Sequence, residues 1–489
     1  MKRNKPPLKY AIALICFFML ACICLQKAYA DSLKIVYPIQ NSLFPEDFKP
    51  PLFKWEDNSS ADQWRVTAAF TDHTPTIACF VTEKCWRPKP DEWKLMKQKS
   101  TDIDLIISVT AYSENKRLSG STVSIRTSRD SVEAPIFYRE VELPAIKAVK
   151  NLKSIQWRLG RVSEESMPPV VLNNMPICAN CHSASADGRV IGMDADYRGD
   201  KGAYVISDIG KETLLTPEGV ISWSNVAPEQ GVRTFGLFAR LSPDGRFVAS
   251  TINDVSVYQM LSGINYSQLF FPVRGLIAVY NRSDRKFNPL NGADDPGYVQ
   301  SNPVFSPDGR TVVFIRADRL DQKANVRDFI ERKAFFTYDL YRLPFNNGKG
   351  GIPEPVKGAS QNGMSNYFPT FTPDGRWIIF TQSKGFMIIQ PDAQLYIVPA
   401  EGGKARRMNC NFEGKMCSWH SLSPNGKWMV FSAKADSPYT QLWLTHIDEN
   451  GIDTPPVLLE NFTSPDRAAN IPEFLNINSD VLHRIINQL

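Results

Sequence analysis

One phrase, repeated five times, constrains this chain more than anything else in it. The copies are Ser185-Ala186-Asp187-Gly188-Arg189, Ser242-Pro243-Asp244-Gly245-Arg246, Ser306-Pro307-Asp308-Gly309-Arg310, Thr372-Pro373-Asp374-Gly375-Arg376 and Ser423-Pro424-Asn425-Gly426-Lys427. Each runs into hydrophobic residues, as in Thr311-Val312-Val313-Phe314 and Trp377-Ile378-Ile379-Phe380. Each copy therefore reads as short strand, tight turn, short strand. Pro presets φ early in the turn, and Gly tolerates the positive φ that Asp-Gly and Asn-Gly hairpins demand. Counted between their glycines, the copies lie 57, 64, 66 and 51 residues apart, room for four strands and their loops. One such sheet cannot bury both faces alone. Sheets stacked radially can, which is the logic of a β-propeller.

The copies resemble the PD40 or TolB-type propeller repeat, F-S-P-D-G-K followed by hydrophobics, most closely at Phe305-Ser306 and Phe371-Thr372. The resemblance covers roughly residues 180 to 475 and implies an all-β propeller, usually of six blades, with five as the alternative. Ile471-Pro472-Glu473-Phe474 resembles Pro303-Val304-Phe305. A sixth blade is thus expected to close on strands from before residue 178, such as Ile155-Gln156-Trp157-Arg158-Leu159. Residues 31–140 are expected to form an immunoglobulin- or fibronectin-like β-sandwich. Trp64 to Phe70, Leu105 to Tyr112 and Thr122 to Thr127 are β-rich, partly alternating and split by polar turns. The remaining divisions are 141–177, a linker able to supply closing strands, 178–475, the propeller, and 476–489, a C-terminal tail.

The first thirty residues read as an address. Lys2, Arg3 and Lys5 precede an uncharged run from Tyr10 to Leu25, and Ala28-Tyr29-Ala30 offers small residues where a signal peptidase cuts. Cleavage after Ala30 and export to the periplasm are expected. A retained anchor and a lipoprotein modified at Cys22 are the alternatives, the run being short for a span. No later segment is apolar enough to span a bilayer, so the mature chain is expected to have no membrane span. Beyond the five cations of the leader, the chain of 489 residues holds 51 basic and 51 acidic residues. That balance argues against nucleic-acid binding, which needs excess cation to displace counterions. The cluster Lys84, Arg87, Lys89, Lys94, Lys97, Lys99, interrupted by Asp91 and Glu92, reads as solvated surface, with an acidic-partner docking patch as the alternative.

Cys178-Ala179-Asn180-Cys181-His182 is the C-x-x-C-H signature of c-type haem attachment. Two thiols add to the haem vinyl groups, and the adjacent His reaches the iron as proximal ligand. One covalent haem is expected, held by Cys178 and Cys181 and ligated by His182. A thioredoxin-like or structural Cys pair is the competing reading, but no βαβ pattern surrounds the motif. His182-Ser183-Ala184 aligns, on the repeat, with His420-Ser421-Leu422, where the other copies carry Ala239, Pro303 and Pro369. In a six-bladed ring those two blades stand two steps apart around the channel. His420 is therefore the candidate distal iron ligand, a hydrogen-bonded inner-strand histidine beside Trp419 being the alternative. Met193 is the weaker candidate: hairpin counting places it opposite His182 on one sheet face, where two side chains do not easily grip an iron from opposite faces, so it is expected as a wall of the haem pocket. Met175 and Met364 stay open, and His73, His446 and His483 read as surface or packing residues. The remaining close cysteine pairs, Cys79 with Cys85 and Cys410 with Cys417, are expected to be disulfides in an oxidising compartment. Zinc on Cys410, Cys417 and His420 lacks a fourth ligand.

The whole chain also resembles bacterial exported proteins that join a β-sandwich, one C-x-x-C-H site and PD40 repeats. The resemblance is carried by Cys178 to Ser183, Gln394-Leu395-Tyr396 through Glu401-Gly402-Gly403, Ser418-Trp419-His420-Ser421 and Arg467 to Phe474. It implies architecture and haem, not a reaction. Three functions follow as expectations: a monohaem cytochrome passing single electrons to a redox partner protein, a haem enzyme acting on a small molecule in the channel, and a TolB-like protein-interaction scaffold with haem as sensor. No nucleophile triad, phosphate loop or nucleotide fingerprint accompanies them, and whether the chain is an enzyme stays open.

Overall fold

The computed structural model describes residues 32–72, 76–101, 103–175, 181–226, 232–320, 326–478 and 480–489. The leader with Cys22 and Ala30, His73 and Cys178 lie outside these residues. One compact unit ends at Ser131 and a second begins at Val132. Among the described residues no helix is long and apolar enough to cross a membrane.

The first unit is a β-sandwich. Leu33–Tyr37, Phe53–Asp57 and Cys85–Trp86 form a three-stranded sheet. Ser42–Phe44, Lys116–Thr127, Leu105–Ser113, Gln63–Phe70 and Ile77–Val81 form, in that order, a five-stranded one. Gln63–Phe70 and Leu105–Ser113 alternate buried with less buried residues, so one face of the sheet is core and the other wet. Trp55, Trp64, Ile107 and Val109 are buried, and the Trp64 indole N–H is satisfied by Asp57 Oδ2 at 2.8 Å. The expected Cys79–Cys85 disulfide is not formed; both are free thiols. Ladder register holds Cys79 opposite Val66 in the larger sheet and Cys85 opposite Lys54 in the smaller one. Lys84 and Lys97 of the basic cluster donate to the carbonyls of Asp57 and Phe48.

The second unit is a propeller of six four-stranded blades. Blade one is His182–Ala184, Val190–Tyr197, Asp200–Asp208 and Val220–Ser222. Blades two to five begin at Arg240, Tyr298, Ser365 and Cys417. Blade six takes its inner strand, Arg467–Phe474, from the C-terminal end and its outer three, Ile136–Glu142, Gln156–Gly160 and Val170–Asn173, from before residue 178. The ring thus closes as expected from Ile471 to Phe474. Ile136–Glu142, partly allotted to the sandwich from sequence, belongs to this blade. Arg484–Asn487 of the tail pairs in parallel with Glu212–Leu215.

Second strands such as Trp428–Ala433 are buried at every residue, because a neighbouring blade covers each face. The repeated phrase builds each turn. The Ser185 hydroxyl donates to Asp187 Oδ1 (2.6 Å) and accepts the Val190 N–H (3.0 Å), while the same carboxylate accepts the Arg189 N–H (3.1 Å). The hydroxyl-to-Asp or Asn bond recurs at 2.6 Å in the four other copies. The five turn glycines all have φ between 68 and 72°.

Candidate haem site at the channel mouth

Inner strands are stitched to one another by single hydrogen bonds. Ser183 Oγ in blade one accepts the Leu241 N–H of blade two (3.0 Å), and Ser421 Oγ in blade five accepts the Phe474 N–H of blade six (3.1 Å). Asn302 Oδ1 accepts the Phe368 N–H (3.0 Å), and Glu473 Oε1 accepts the Ala184 N–H (3.1 Å), which closes blade six onto blade one.

Just before these stitches the backbone bends. Phe238, Asn302, Phe368, Trp419 and Ile471 all have positive φ, from 30 to 58°, and ladder register slips around four of them. Left-handed backbone at bulky residues is strained, and such strain gathers at functional sites. The five residues occupy one repeat position, immediately before the column that holds Ala239, Pro303, Pro369 and His420. In blade one that position is Cys181, and the next is His182.

All five strained residues, Cys181, His182 and His420 line one cavity of about 480 Å³ at a mouth of the channel, within the ~300–1,000 Å³ usual for ligand sites. Phe368 stacks on Trp419 with ring centroids 6.2 Å apart and meets Phe238 edge-on at 5.8 Å. His182 and His420 stand on the two blades that flank blade six. The His182 ring meets Phe137 edge-on at 4.8 Å, is 1% exposed, and neither ring nitrogen has a hydrogen-bond partner. Its Nε2 is 3.9 Å from Glu473 Oε2. Burial, then the guanidiniums of Arg240 and Arg139, lower its pKa to about 3, against a smaller pull from the Ile471 backbone. His420 Nε2 lies 3.2 Å from the Ile379 carbonyl. A carbonyl can only accept, so Nε2 carries the proton and Nδ1, which has no partner, keeps a lone pair. Burial lowers the His420 pKa to about 4. Both imidazoles are thus neutral, the form that ligates metals.

Cys181 is held by a reciprocal pair: its N–H donates to Asp194 Oδ2 and the Asp194 N–H donates to its carbonyl, both at 3.0 Å. Burial, then Asp194, push its thiol well above the ordinary value. Asp194 is itself raised to about 7 by burial, with the Cys181 amide pulling down and Asp254 pushing up. Arg240 bridges Glu473 Oε2 at 3.2 Å. This donor set fits a covalently attached haem: a thiol beside an imidazole without partners, a second neutral imidazole, and a largely apolar wall of suitable volume.

The other sequence candidates lie elsewhere. Met193 pairs opposite His182, as hairpin counting gives, but packs with Met175, Phe137 and Trp157 in the core between blades six and one. Neither methionine, nor Met364, is among the cavity-lining residues. His446 packs edge-on against Trp428, and His483 is exposed. The expected Cys410–Cys417 disulfide is also not formed. The Cys410 N–H is tied to Asp453 Oδ2 (2.7 Å) and the Cys417 N–H to the Ala393 carbonyl (2.9 Å). Burial raises both thiols, Cys417 to about 12. Among the described residues no three His, Cys, Asp or Glu side chains cluster as a metal site. The ring of strained residues escaped the sequence reading because Phe, Asn, Trp and Ile share no chemistry; counting back seven residues from the turn glycines of blades two to five finds four of them, and Ile471 follows only from the likeness of Pro472-Glu473-Phe474 to Pro303-Val304-Phe305.

No protein-family model and no curated protein matches the chain. Among solved structures it is similar to TolB from Acinetobacter baumannii, at 15% identity over 76% of this chain and 79% of that one, TM-score 0.42. It is similar to the periplasmic gluconolactonase PpgL of Pseudomonas aeruginosa, at 14% identity over 66% and 82%, TM-score 0.36. A third is Kuenenia stuttgartiensis hydrazine synthase, at 14% identity over 57% and 79%, TM-score 0.31. Likenesses this distant bear neither on the site nor on the activity.

Proposed function

We propose that this chain is an exported monohaem c-type cytochrome that carries its haem at one mouth of a propeller channel and passes single electrons to a partner protein. One observation carries the reading: Cys181 and His182 of the C-x-x-C-H segment share a cavity with His420, and three of the four imidazole nitrogens there have no partner. On this reading Cys178 and Cys181 bind the porphyrin covalently, His182 is the proximal ligand and His420 the ligand of the other face. When bound, the haem supplies reversible one-electron chemistry. The chain's own residues do the rest. Burial keeps both imidazoles unprotonated, Asp194 fixes the backbone of Cys181, and Phe238, Phe368 and Trp419 cover apolar surface that water would otherwise reach. The leader pattern supports export.

A second reading rests on the Ile379 carbonyl. With His420 Nε2–H held there, Nδ1 would act as an acceptor toward a small molecule instead of as an iron ligand, and the cavity would suit a haem enzyme. One preparation separates the readings: full-length protein, exported from cells able to attach haem. Whole-protein mass is expected to exceed that of the processed chain by one haem, and the Cys178→Ala/Cys181→Ala variant to lose it. A low-spin spectrum indifferent to carbon monoxide and cyanide supports electron transfer; a high-spin spectrum that shifts with either supports the enzyme. A colourless protein of bare polypeptide mass sinks both and leaves a TolB-like interaction scaffold.

A further inference from the structure

The cavity mouth is bordered differently on the two sides of blade one. On the blade-six side, the connection from Leu143 to Ile155 carries the six-residue helix Ala145–Lys150 and the turn Leu152–Ser154. Its Ala145, Ala148 and Val149 line the cavity. It holds three lysines, Lys147, Lys150 and Lys153, and no acid. All three are exposed, and among the described residues no ion pair engages them. Glu142, the nearest acid along the chain, is already engaged: Arg467 lies 3.4 Å from its Oε1, and the Ser154 hydroxyl donates to its Oε2 at 3.4 Å.

On the blade-two side stands the longest hairpin of the propeller, Phe247–Met260 paired with Gln268–Asn281. Residues 255–270 of it carry no charge, and its Tyr258, Gln268 and Phe270 line the cavity. This border is fixed. Leu269 and Phe271 are buried among Phe329, Phe336 and Phe386, and Lys434 of blade five donates to the Ile264 and Asn265 carbonyls at the tip. The corresponding hairpin of blade one turns at once, at Arg198-Gly199. Cys181 and His182 therefore stand between a basic border and an uncharged one. Apolar side chains reach the surface on both: Ile146 and Val149 are 39 and 42% exposed, Phe235 and Tyr258 43 and 48%. An apolar centre with charge at its rim is the make-up of a small, transient protein interface.

We propose that electrons leave across this border, and that the partner is a protein with an acidic surface beside its own redox centre. The inference rests on the cytochrome reading and names the partner which that reading leaves open. One electron passes from the ferrous iron to the partner's centre, which is reduced by one; no bond is made or broken. Beyond the leader the chain's charges balance, so the attraction is local to these lysines and not a property of net charge. Three lysines are also fewer than the clusters of about four to eight that hold a segment on anionic lipid, which favours a protein.

Stopped-flow oxidation of the reduced, haem-loaded, full-length protein tests this with three oxidants. They are ferricyanide, a trianion; tris(phenanthroline)cobalt(III), a trication; and an oxidised blue-copper protein of acidic surface. The ferricyanide and blue-copper rates are expected to fall as ionic strength rises from about 0.02 to about 0.5 M, and the cobalt rate to rise. In Lys147→Glu/Lys150→Glu/Lys153→Glu the ratio of the ferricyanide to the cobalt rate should drop about tenfold or more at low salt. Glutamine at the same positions should lower it less. The ratio cancels any change of haem potential that both oxidants share. Lys286→Glu/Arg310→Glu/Lys427→Glu makes the same change of charge at the turn end of the blades and should leave the ratio within about twofold of wild type. Ile146→Ser/Val149→Ser should slow the blue-copper protein alone. A coloured protein whose ratio ignores the mouth lysines, or follows the turn-end charges equally, overturns the docking surface and leaves the cytochrome standing. So does binding to phosphatidylglycerol vesicles that these lysines control while the rates stay unchanged, which would make the border a lipid contact. A colourless protein removes the cytochrome reading and the docking surface together.

Discussion

The inner strands of blades one and five share a dipeptide at one repeat position, His182-Ser183 and His420-Ser421, yet their histidines meet different neighbours. The serines do the same work, each accepting an amide of the next blade. Each histidine leans back on the second strand of the preceding blade, and there the two part. Behind His420 stands Ile379, opposite Thr370 in the ladder, and its carbonyl takes the ring proton. Behind His182 stands Phe137, opposite Glu473 in the equivalent rung, and it meets the imidazole with its ring and not with its carbonyl. The repeat fixes where a side chain sits on the channel; the blade behind it fixes what that side chain can do. The same contrast holds one strand further out. Asp194 of blade one braces Cys181, whereas the repeat-equivalent residue of blade five is Ser432, which donates to the Ala469 carbonyl.

The largest effects should separate the two histidines in the haem-loaded protein. His182→Ala is expected to abolish the low-spin spectrum and lower haem content. His420→Ala should leave the haem attached but turn the spectrum high-spin and responsive to carbon monoxide. A His420→Ala protein that stays low-spin with no change of ligand removes His420 from the iron and leaves the contrast purely structural.

The turns of blades one and three break the equivalence of repeats in another way. Gly188 and Gly309 have φ of 69 and 68°. A Cβ at Gly188 would run into the Asn476 carbonyl, whereas one at Gly309 would meet nothing within 4 Å. Gly309→Ala should cost about 1–2 kcal/mol, the price of a left-handed L-residue. Gly188→Ala should cost about 1–3 kcal/mol more, because a backbone carbonyl cannot yield cheaply. Urea midpoints of the two variants compare them, and equal costs would mean that the C-terminal tail does not pack on blade one as described.

Much of this was readable from residue types. Asp-Gly turns set the blades, and Pro472-Glu473-Phe474 announced the closing strand because it copies Pro303-Val304-Phe305. Hairpin counting from Gly188 also put Met193 opposite His182. The long hairpin of blade two was not legible as length: 64 residues separate Gly245 from Gly309, yet 66 separate Gly309 from Gly375. Its tie to Lys434 is made by backbone carbonyls at Ile264 and Asn265, which no side-chain pattern encodes. The first disulfide failed for a related reason. For Cys79 and Cys85, nearness along the chain is not nearness in space, because ladder register puts them in different sheets; Cys410 and Cys417 do lie within electrostatic reach of each other, and both remain thiols.

Without haem, the histidines should differ in sign. His182→Leu removes a buried ring that has no partner and is expected to stabilise the haem-free chain by about 1–2 kcal/mol. His420→Leu leaves the Ile379 carbonyl without its donor and should cost about 1 kcal/mol. Denaturant midpoints at pH 7.5 decide it; two changes of the same sign would mean that the Ile379 bond is not the difference between the blades.

The smallest effect concerns the acids that blade five does not match. Asp254, in the bulge of blade two's long hairpin, takes the Phe235 N–H on Oδ1 (2.8 Å), while Oδ2 has no partner and the residue is 2% exposed. Burial raises its pKa to about 7, against the amides of Phe235 and Gly236, and an unfolded Asp titrates near 3.9. Between those values the folded chain keeps a proton that the unfolded chain has released. This group's contribution is therefore fully present below about pH 4 and is lost as pH rises through about 7. Asp254→Asn removes the titration and keeps an acceptor for Phe235. The stability of wild type relative to this variant should fall between pH 5 and pH 7 by about 1.4 kcal/mol per unit at most, and level off by pH 8. Comparing the two proteins cancels the histidines, whose lowered pKa values act in the opposite sense as pH falls below about 6.5. A difference that stays flat from pH 5 to 8 would show that Asp254 is ionised throughout. The bulge would then hold a charge, and the mouth of blades one and two would differ from that of blade five more than burial alone accounts for.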